Sequence, residues 1–183
     1  MLVLIKGAGD LATGTAVRLY RAGIKVVMTE VAQPTAVRRT VAFSQCMYDG
    51  AAQVEGISAR RAEDAGAARR ALERGEVPVL CDPEAAILRE LSFDGVVDAI
   101  LAKRNLGTAI TDAPVVLALG PGFTAGVDCH GVVETMRGHN LGRLLTQGSA
   151  APNTGVPGDV GGYTTQRIIR APADGAFEPL AAI

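Results

Sequence analysis

The sequence has no tryptophan and only 4% aromatic residues in its 183. Its core cannot be aromatic and must be filled by Val, Ile, Leu and Ala, as in parallel sheets covered by helices. Cysteine is sparse as well: Cys46, Cys81 and Cys129 lie far apart and form no C-x-x-C pair, which excludes a disulfide framework and a zinc site of common spacing. The three are expected as small buried apolar side chains, and a reducing cytoplasm suits them. Charge of one sign is also missing. With 18 basic and 19 acidic side chains, the formal charge is -1. No long-range field gathers polyanions, so neither nucleic acid nor a membrane is expected as partner. Long apolar runs are absent too. The apolar start stops at Lys6, too short for a signal-peptide core or a membrane span, and reads as a buried first strand.

What is present is a hydrophobic fraction of 48%, ample for one domain and a small further element. Apolar runs alternate with helical patterns at βαβ spacing. Residues 2–5 predict a strand, Gly7 to Gly9 a tight turn, residues 10–21 a helix punctuated by Gly23, and residues 24–29 a second, parallel strand. After a polar stretch holding Arg38, Arg39 and Asp49, the Ala/Arg/Glu-rich residues 61–74 predict a helix closing at Gly75. Residues 77–80 predict a strand, Asp82-Pro83 opens a short helix to Leu91, and residues 96–101 and 115–119 predict two more strands. The fold class expected is α/β: a Rossmann-like parallel sheet with helices on both faces, plus a Gly/Pro-rich loop region with short strands. Residues 1–119 form the expected nucleotide-binding core, and residues 120–166 the loop region, with short strands at 132–135 and 144–146.

Gly7-Ala8-Gly9-Asp10-Leu11-Ala12 matches G-x-G-x-x-[GA] directly after a strand and before a helix. Gly7 permits the turn, Gly9 lets backbone N–H groups approach a phosphate, and Ala12 with Gly14 lets the helix pack against the sheet. Glu30, at the end of the second strand, stands where an acid receives ribose hydroxyls. Asp10 is awkward, because its carboxylate would repel a pyrophosphate on the helix N-terminus. Three readings stand side by side: an ordinary N-cap with a displaced nucleotide, a ligand to a metal bridging phosphate, or a purely structural turn.

Two further clusters follow predicted strands. In the first, Lys103 and Arg104 suit phosphate or carboxylate and Asn105 both donates and accepts; two solvated basic residues are the competing account. In the second, Gly120-Pro121-Gly122-Phe123-Thr124 presents an open backbone, with a hydroxyl at Thr124. Downstream lie Glu134, Arg137, His139 and Asn153, the richest polar constellation of the chain. His139 suits proton transfer. Neither it nor His130 has metal-ligand spacing, and loop bracing is the competing role of both.

Five blocks carry a family resemblance: residues 7–14 (GAGDLATG), 38–44 (RRTVAFS), 98–106, 119–127 and 148–155 (GSAAPNTG). Together they resemble the YqeB-like family, accessory proteins of selenium-dependent molybdenum hydroxylases. The glycine turn also resembles that of the xanthine dehydrogenase accessory proteins, another maturation family with a Rossmann-like domain. The resemblance implies a cytoplasmic role in modifying, loading or inserting selenium at the molybdenum cofactor. The partners would be an apo-hydroxylase or other maturation factors, with a homo-oligomer open. The implied ligand is a nucleotide-bearing cofactor such as a molybdopterin dinucleotide; the alternative is an NAD(P)-dependent oxidoreductase using Gly7, Gly9 and Glu30. Candidate binding residues are Gly7, Gly9, Asp10, Ala12, Glu30, Lys103, Arg104, Asn105, Gly122, Thr124 and Asn153. Glu134, Arg137 and His139 are the candidates for chemistry, and no metal ligands are assigned. Residues 167–183 resemble the opening of a lipoyl-like β-module that continues further in relatives.

Overall fold

The computed structural model describes residues 1–169 and 171–175. Compactness divides the chain into Met1–Pro152 and Asn153–Ile183. The first unit is built on a mostly parallel sheet of nine strands with three helices, an α/β arrangement.

The strands are β1 (Leu2–Lys6), β2 (Lys25–Glu30), β3 (Ala51–Val54), β4 (Ile57–Ala62), β5 (Val77–Cys81), β6 (Gly95–Asp98), β7 (Val116–Leu119), β8 (Gly131–Val133) and β9 (Leu144–Leu145). Their order across the sheet is β3-β4-β5-β2-β1-β6-β7-β8-β9. The seven strands from β4 to β8 in that order run parallel, and the two edges, β3 and β9, are antiparallel to their neighbours. The helices are α1 (Asp10–Arg21), α2 (Cys46–Asp49) and α3 (Ala65–Glu73).

Alternate residues of a strand face opposite sides of a sheet, and the apolar residues sort accordingly into two clusters. Val3, Ile5, Val26, Met28, Val77 and Val79 join Ala12, Ala16 and Val17 of α1 and Cys46 and Met47 of α2. Leu4, Val27, Leu80, Val96 and Val116 join Ala65 and Ala68 of α3 with Phe93 and Phe123. Val, Leu, Ile and Ala dominate both, as the scarcity of aromatics requires.

Several boundaries differ from those expected. The helix predicted over residues 61–74 begins only at Ala65, because Asp64 caps it by accepting from the Ala67 N–H at 2.7 Å. Arg61 and Ala62 belong instead to β4, which hydrogen-bonds β5 and folds back from β3 through Glu55-Gly56. Both turn residues have positive φ (50° and 79°), the conformation of a tight two-residue hairpin. The predicted helix to Leu91 is a 3₁₀ turn, Ala86–Arg89, with the Asp82 carboxylate accepting from the N–H groups of Ala86 and Ile87. The strand predicted over 96–101 ends at Asp98, since Leu101 and Lys103 adopt φ of 60° and 64°.

The second unit, by itself, holds a bridge between Val160 and Tyr163 and a 3₁₀ turn, Thr165–Arg167. Arg170 and residues 176–183 lie outside the described residues, and with them much of the segment expected to open a lipoyl-like module.

Candidate functional site

From β1 the chain moves to β2 on one side, and later, from β5, it crosses to β6 on the other side of β1. Such a switch opens a crevice at the carboxyl ends of the parallel strands. Gly7 turns there at φ +94°, and a Cβ on it would lie 2.9 Å from the carbonyl oxygen of Ala99, just past β6. Only glycine fits. A Cβ on Gly9, by contrast, would meet nothing within 4 Å, which leaves free space beside the start of α1. Gly14 also faces open space, so α1 packs through Ala12 and Ala16 and not through Gly14 as expected.

The turn's polar groups are largely held by neighbours. The Ala8 N–H donates to Glu30 Oε2 at 2.9 Å, and the Val31 N–H to Oε1 at 2.8 Å. The Ala8 carbonyl accepts from the Ser44 N–H at 2.8 Å and the Thr13 hydroxyl at 3.2 Å. Asp10 is not the N-cap: Gly9 holds that place, Asp10 is the first helical residue, and its carboxylate pairs with Arg38. The Asp10–Arg38 pair borders a groove of about 380 Å³ between α1, residues 38–41 and the β3–β4 turn.

The loops after β6 and β7 meet at the same sheet edge. A Cβ on Gly122 (φ +109°) would come within 2.6 Å of the backbone N and Cα of Arg104. Lys103 and Arg104 are exposed, and neither has a side-chain hydrogen bond or ion pair among the described residues. Asn105 is committed to the loop: its oxygen accepts from the N–H groups of Gly107 and Thr108, and its amide donates to the Thr108 carbonyl at 2.8 Å. Asp128 plays a similar part, accepting from the Thr124 N–H at 2.7 Å and from Asn105 at 3.5 Å. The Thr124 hydroxyl lies 3.2 Å from that of Ser149.

Beneath this loop runs a polar chain that sequence reading missed. Lys6 and Asp98 are register partners at the ends of β1 and β6. Lys6 Nζ donates to the Thr108 hydroxyl at 2.6 Å, and that hydroxyl donates to Asp98 Oδ2 at 2.6 Å. Lys6, Asp98 and Thr108 are 3%, 1% and 3% exposed. Groups so buried cost several kcal/mol each to desolvate when charged, a cost that only close hydrogen-bonded partners offset. The available signal was a lysine directly after an apolar strand and directly before a glycine turn.

The three residues expected to do chemistry are not presented as a unit. Glu134 is buried and both its oxygens are occupied, by the N–H groups of Met136 (2.7 Å) and Ala151 (2.8 Å). Those bonds, that from Ala151 foremost, hold its carboxyl below the usual glutamate range. It braces the loop. Arg137 and His139 are exposed without side-chain partners among the described residues. His130 is a brace as well, its Nδ1 accepting from the Val116 N–H at 3.0 Å. Asn153 falls in the other unit, where it accepts from Gly155. Of the cysteines, Cys46 and Cys129 are buried as expected, with burial raising the Cys46 thiol to about 11; Cys81 is exposed at the end of β5. Among the described residues no group of three or more His, Cys, Asp or Glu is placed to hold a metal ion, and no helix is long and apolar enough to cross a membrane.

An α/β protein with a glycine turn at its topological switch is the class that these features define. The chain is 58% identical over 174 residues, 95% of its length, to "Uncharacterized protein YqeB" of Escherichia coli (strain K12). The chain spans about a third of that relative, 32% of its length. No family model matches the chain, and no solved structure matches it.

Proposed function

We propose that the chain serves as an accessory protein in the maturation of selenium-dependent molybdenum hydroxylases, binding a nucleotide-bearing cofactor at a Rossmann-like switch point. The observation that carries the binding half is a shared sheet edge: the α1 start at Gly9 follows β1, the loop of Lys103 and Arg104 follows β6, and β1 and β6 are parallel neighbours. Backbone N–H groups at a helix start and cations without partners among the described residues together favour a phosphate ester. Packing of α1 and α3 into separate clusters is what a Rossmann-like platform would have. The maturation half comes from the sequence blocks shared with YqeB-like proteins, and its partner would be a cytoplasmic apo-hydroxylase.

A molybdopterin dinucleotide fits this donor set through its diphosphate, which Gly9, Lys103 and Arg104 would hold. When bound, such a group supplies the metal–sulfur chemistry, and the chain's own part is to hold and orient it. The oxidoreductase reading is weaker on one specific observation. Glu30 accepts from the Ala8 and Val31 N–H groups, so it is already engaged where a free carboxylate would grip the ribose of NAD.

A thermal-shift panel of NAD, NADP, mononucleotides, pyrophosphate and molybdate tests both. A ligand at 100 times its Kd stabilises by about 2.7 kcal/mol. Shifts with pyrophosphate and mononucleotides, and none beyond them with NAD or NADP, are expected. A saturable shift peculiar to NAD or NADP would reverse the preference.

A further inference from the structure

Leu101 and Lys103 hold left-handed backbone conformations (φ 60° and 64°) with bulky side chains. Such residues keep that shape only where their surroundings over-determine it. One side of the constraint is Gly122, packed against the backbone of Arg104. The other is Thr108, whose hydroxyl, N–H and carbonyl are all engaged beneath the loop. Its hydroxyl stands between Lys6 and Asp98, while its N–H and carbonyl are held by Asn105. Among the described residues Lys6 and Asp98 form no direct ion pair; the hydroxyl joins them across 102 and 10 residues of chain. Two buried strand ends are thereby tied to one loop residue.

We propose that the Lys6–Thr108–Asp98 chain is a latch that holds residues 101–104 in their strained shape and so positions Lys103 and Arg104 to take an oxyanion at the switch point. The oxyanion half rests on the nucleotide-binding reading; the latch itself does not. Thr108 and Lys6 act here as positioning residues, through the loop.

Two measurements on the whole chain separate the halves. Trypsin cleavage after Lys103 and Arg104, without any anion, reads the latch, and calorimetric titration with inorganic pyrophosphate reads the consequence. Thr108→Val should be cleaved at these two bonds on the order of tenfold faster than wild type, and bind pyrophosphate on the order of tenfold more weakly, as expected for loss of a buried hydrogen-bonded junction. Thr108→Ser, which keeps the hydroxyl, should restore both. If Thr108→Val folds poorly, Lys6→Met/Asp98→Asn removes both buried charges at similar volume and should reproduce the faster cleavage. Unchanged cleavage in folded variants overturns the latch even where wild type binds pyrophosphate. Accelerated cleavage with no pyrophosphate binding by wild type supports the latch but overturns the oxyanion role, and the nucleotide-binding reading with it.

Discussion

The turn after β1 and the loop after β6 lie side by side at the switch point and are organised in opposite ways. At the turn, the motif is conventional and its neighbours hold much of it: Glu30 takes the Ala8 N–H, Ser44 and Thr13 take the Ala8 carbonyl, and Arg38 pairs with Asp10. At the loop, no motif is visible, yet the backbone is strained and Lys103 and Arg104 stand exposed above a buried ammonium–carboxylate chain. A glycine motif thus marks where two strands can approach, whereas the exposed cations sit in the neighbouring loop.

The sharpest way to break this pairing is to add a methyl group where the two loops touch. Gly122→Ala would place its Cβ 2.6 Å from the Arg104 backbone and force a positive φ of 109° on a residue with a side chain. Backbone cannot move aside as a side-chain tip can, so a loss on the order of 3 kcal/mol is expected. Gly7→Ala, 2.9 Å from the Ala99 carbonyl, should cost a similar amount. Gly9→Ala, with nothing within 4 Å, should cost little by comparison. Urea unfolding of the three variants ranks them, and a Gly122→Ala as stable as Gly9→Ala would refute the contact between the loops.

An intermediate effect is expected at Glu134, which braces the loop after β8. Its carboxyl is held below the ordinary range by the Ala151 and Met136 N–H groups. A depressed folded-state pKa contributes stability above the unfolded value, near 4.3, and that contribution is lost as pH falls through the lower folded value. Glu134→Gln should therefore be less stable than wild type at pH 7 by about 1–3 kcal/mol, with the gap closing below pH ~4. Unfolding midpoints of both proteins at pH 7 and pH ~3 check this; a gap that persists undiminished in acid would assign the loss to packing.

The sequence was informative wherever local pattern and tertiary demand agreed. Helix α1 reads directly from a glycine turn followed by the Ala12, Ala16 and Val17 stripe, and β1 from its apolar run. The β3–β4 hairpin did not read, because Ala51–Val54 and Ile57–Ala62 are rich in alanine and arginine, which favour helix on their own. Pairing with β5 overrides that preference. At the site, Gly7, Gly9 and the Lys103–Arg104 pair were legible as types, since each follows an apolar strand. Lys6 was not, because its burial depends on Thr108, 102 residues away. Glu134 was visible as an acid, but its bracing role depends on an N–H of Ala151, 17 residues on.

The smallest effect on stability, and the one that best sharpens the comparison, belongs to Asp10. Its pair with Arg38 is half in solvent, with side chains 31% and 66% exposed, and such pairs contribute about 0–1 kcal/mol. Asp10→Asn should therefore lower stability by less than about 1 kcal/mol, including the loss of an acid from the first helical turn. The effect on binding carries a sign. A carboxylate at a phosphate-binding helix start would be an electrostatic liability if bare, and that liability alone would argue for a bridging metal. Arg38 already offsets the charge, so the argument for a metal weakens. With Asp10→Asn the guanidinium is released and a like charge leaves the helix start, so pyrophosphate should bind more tightly, with or without magnesium. A metal bridge gives the opposite result, because a hard cation loses a carboxylate oxygen. Calorimetric titration of wild type and Asp10→Asn, with magnesium and with chelator, distinguishes the two: weaker binding by the variant that appears only with magnesium would reinstate the metal.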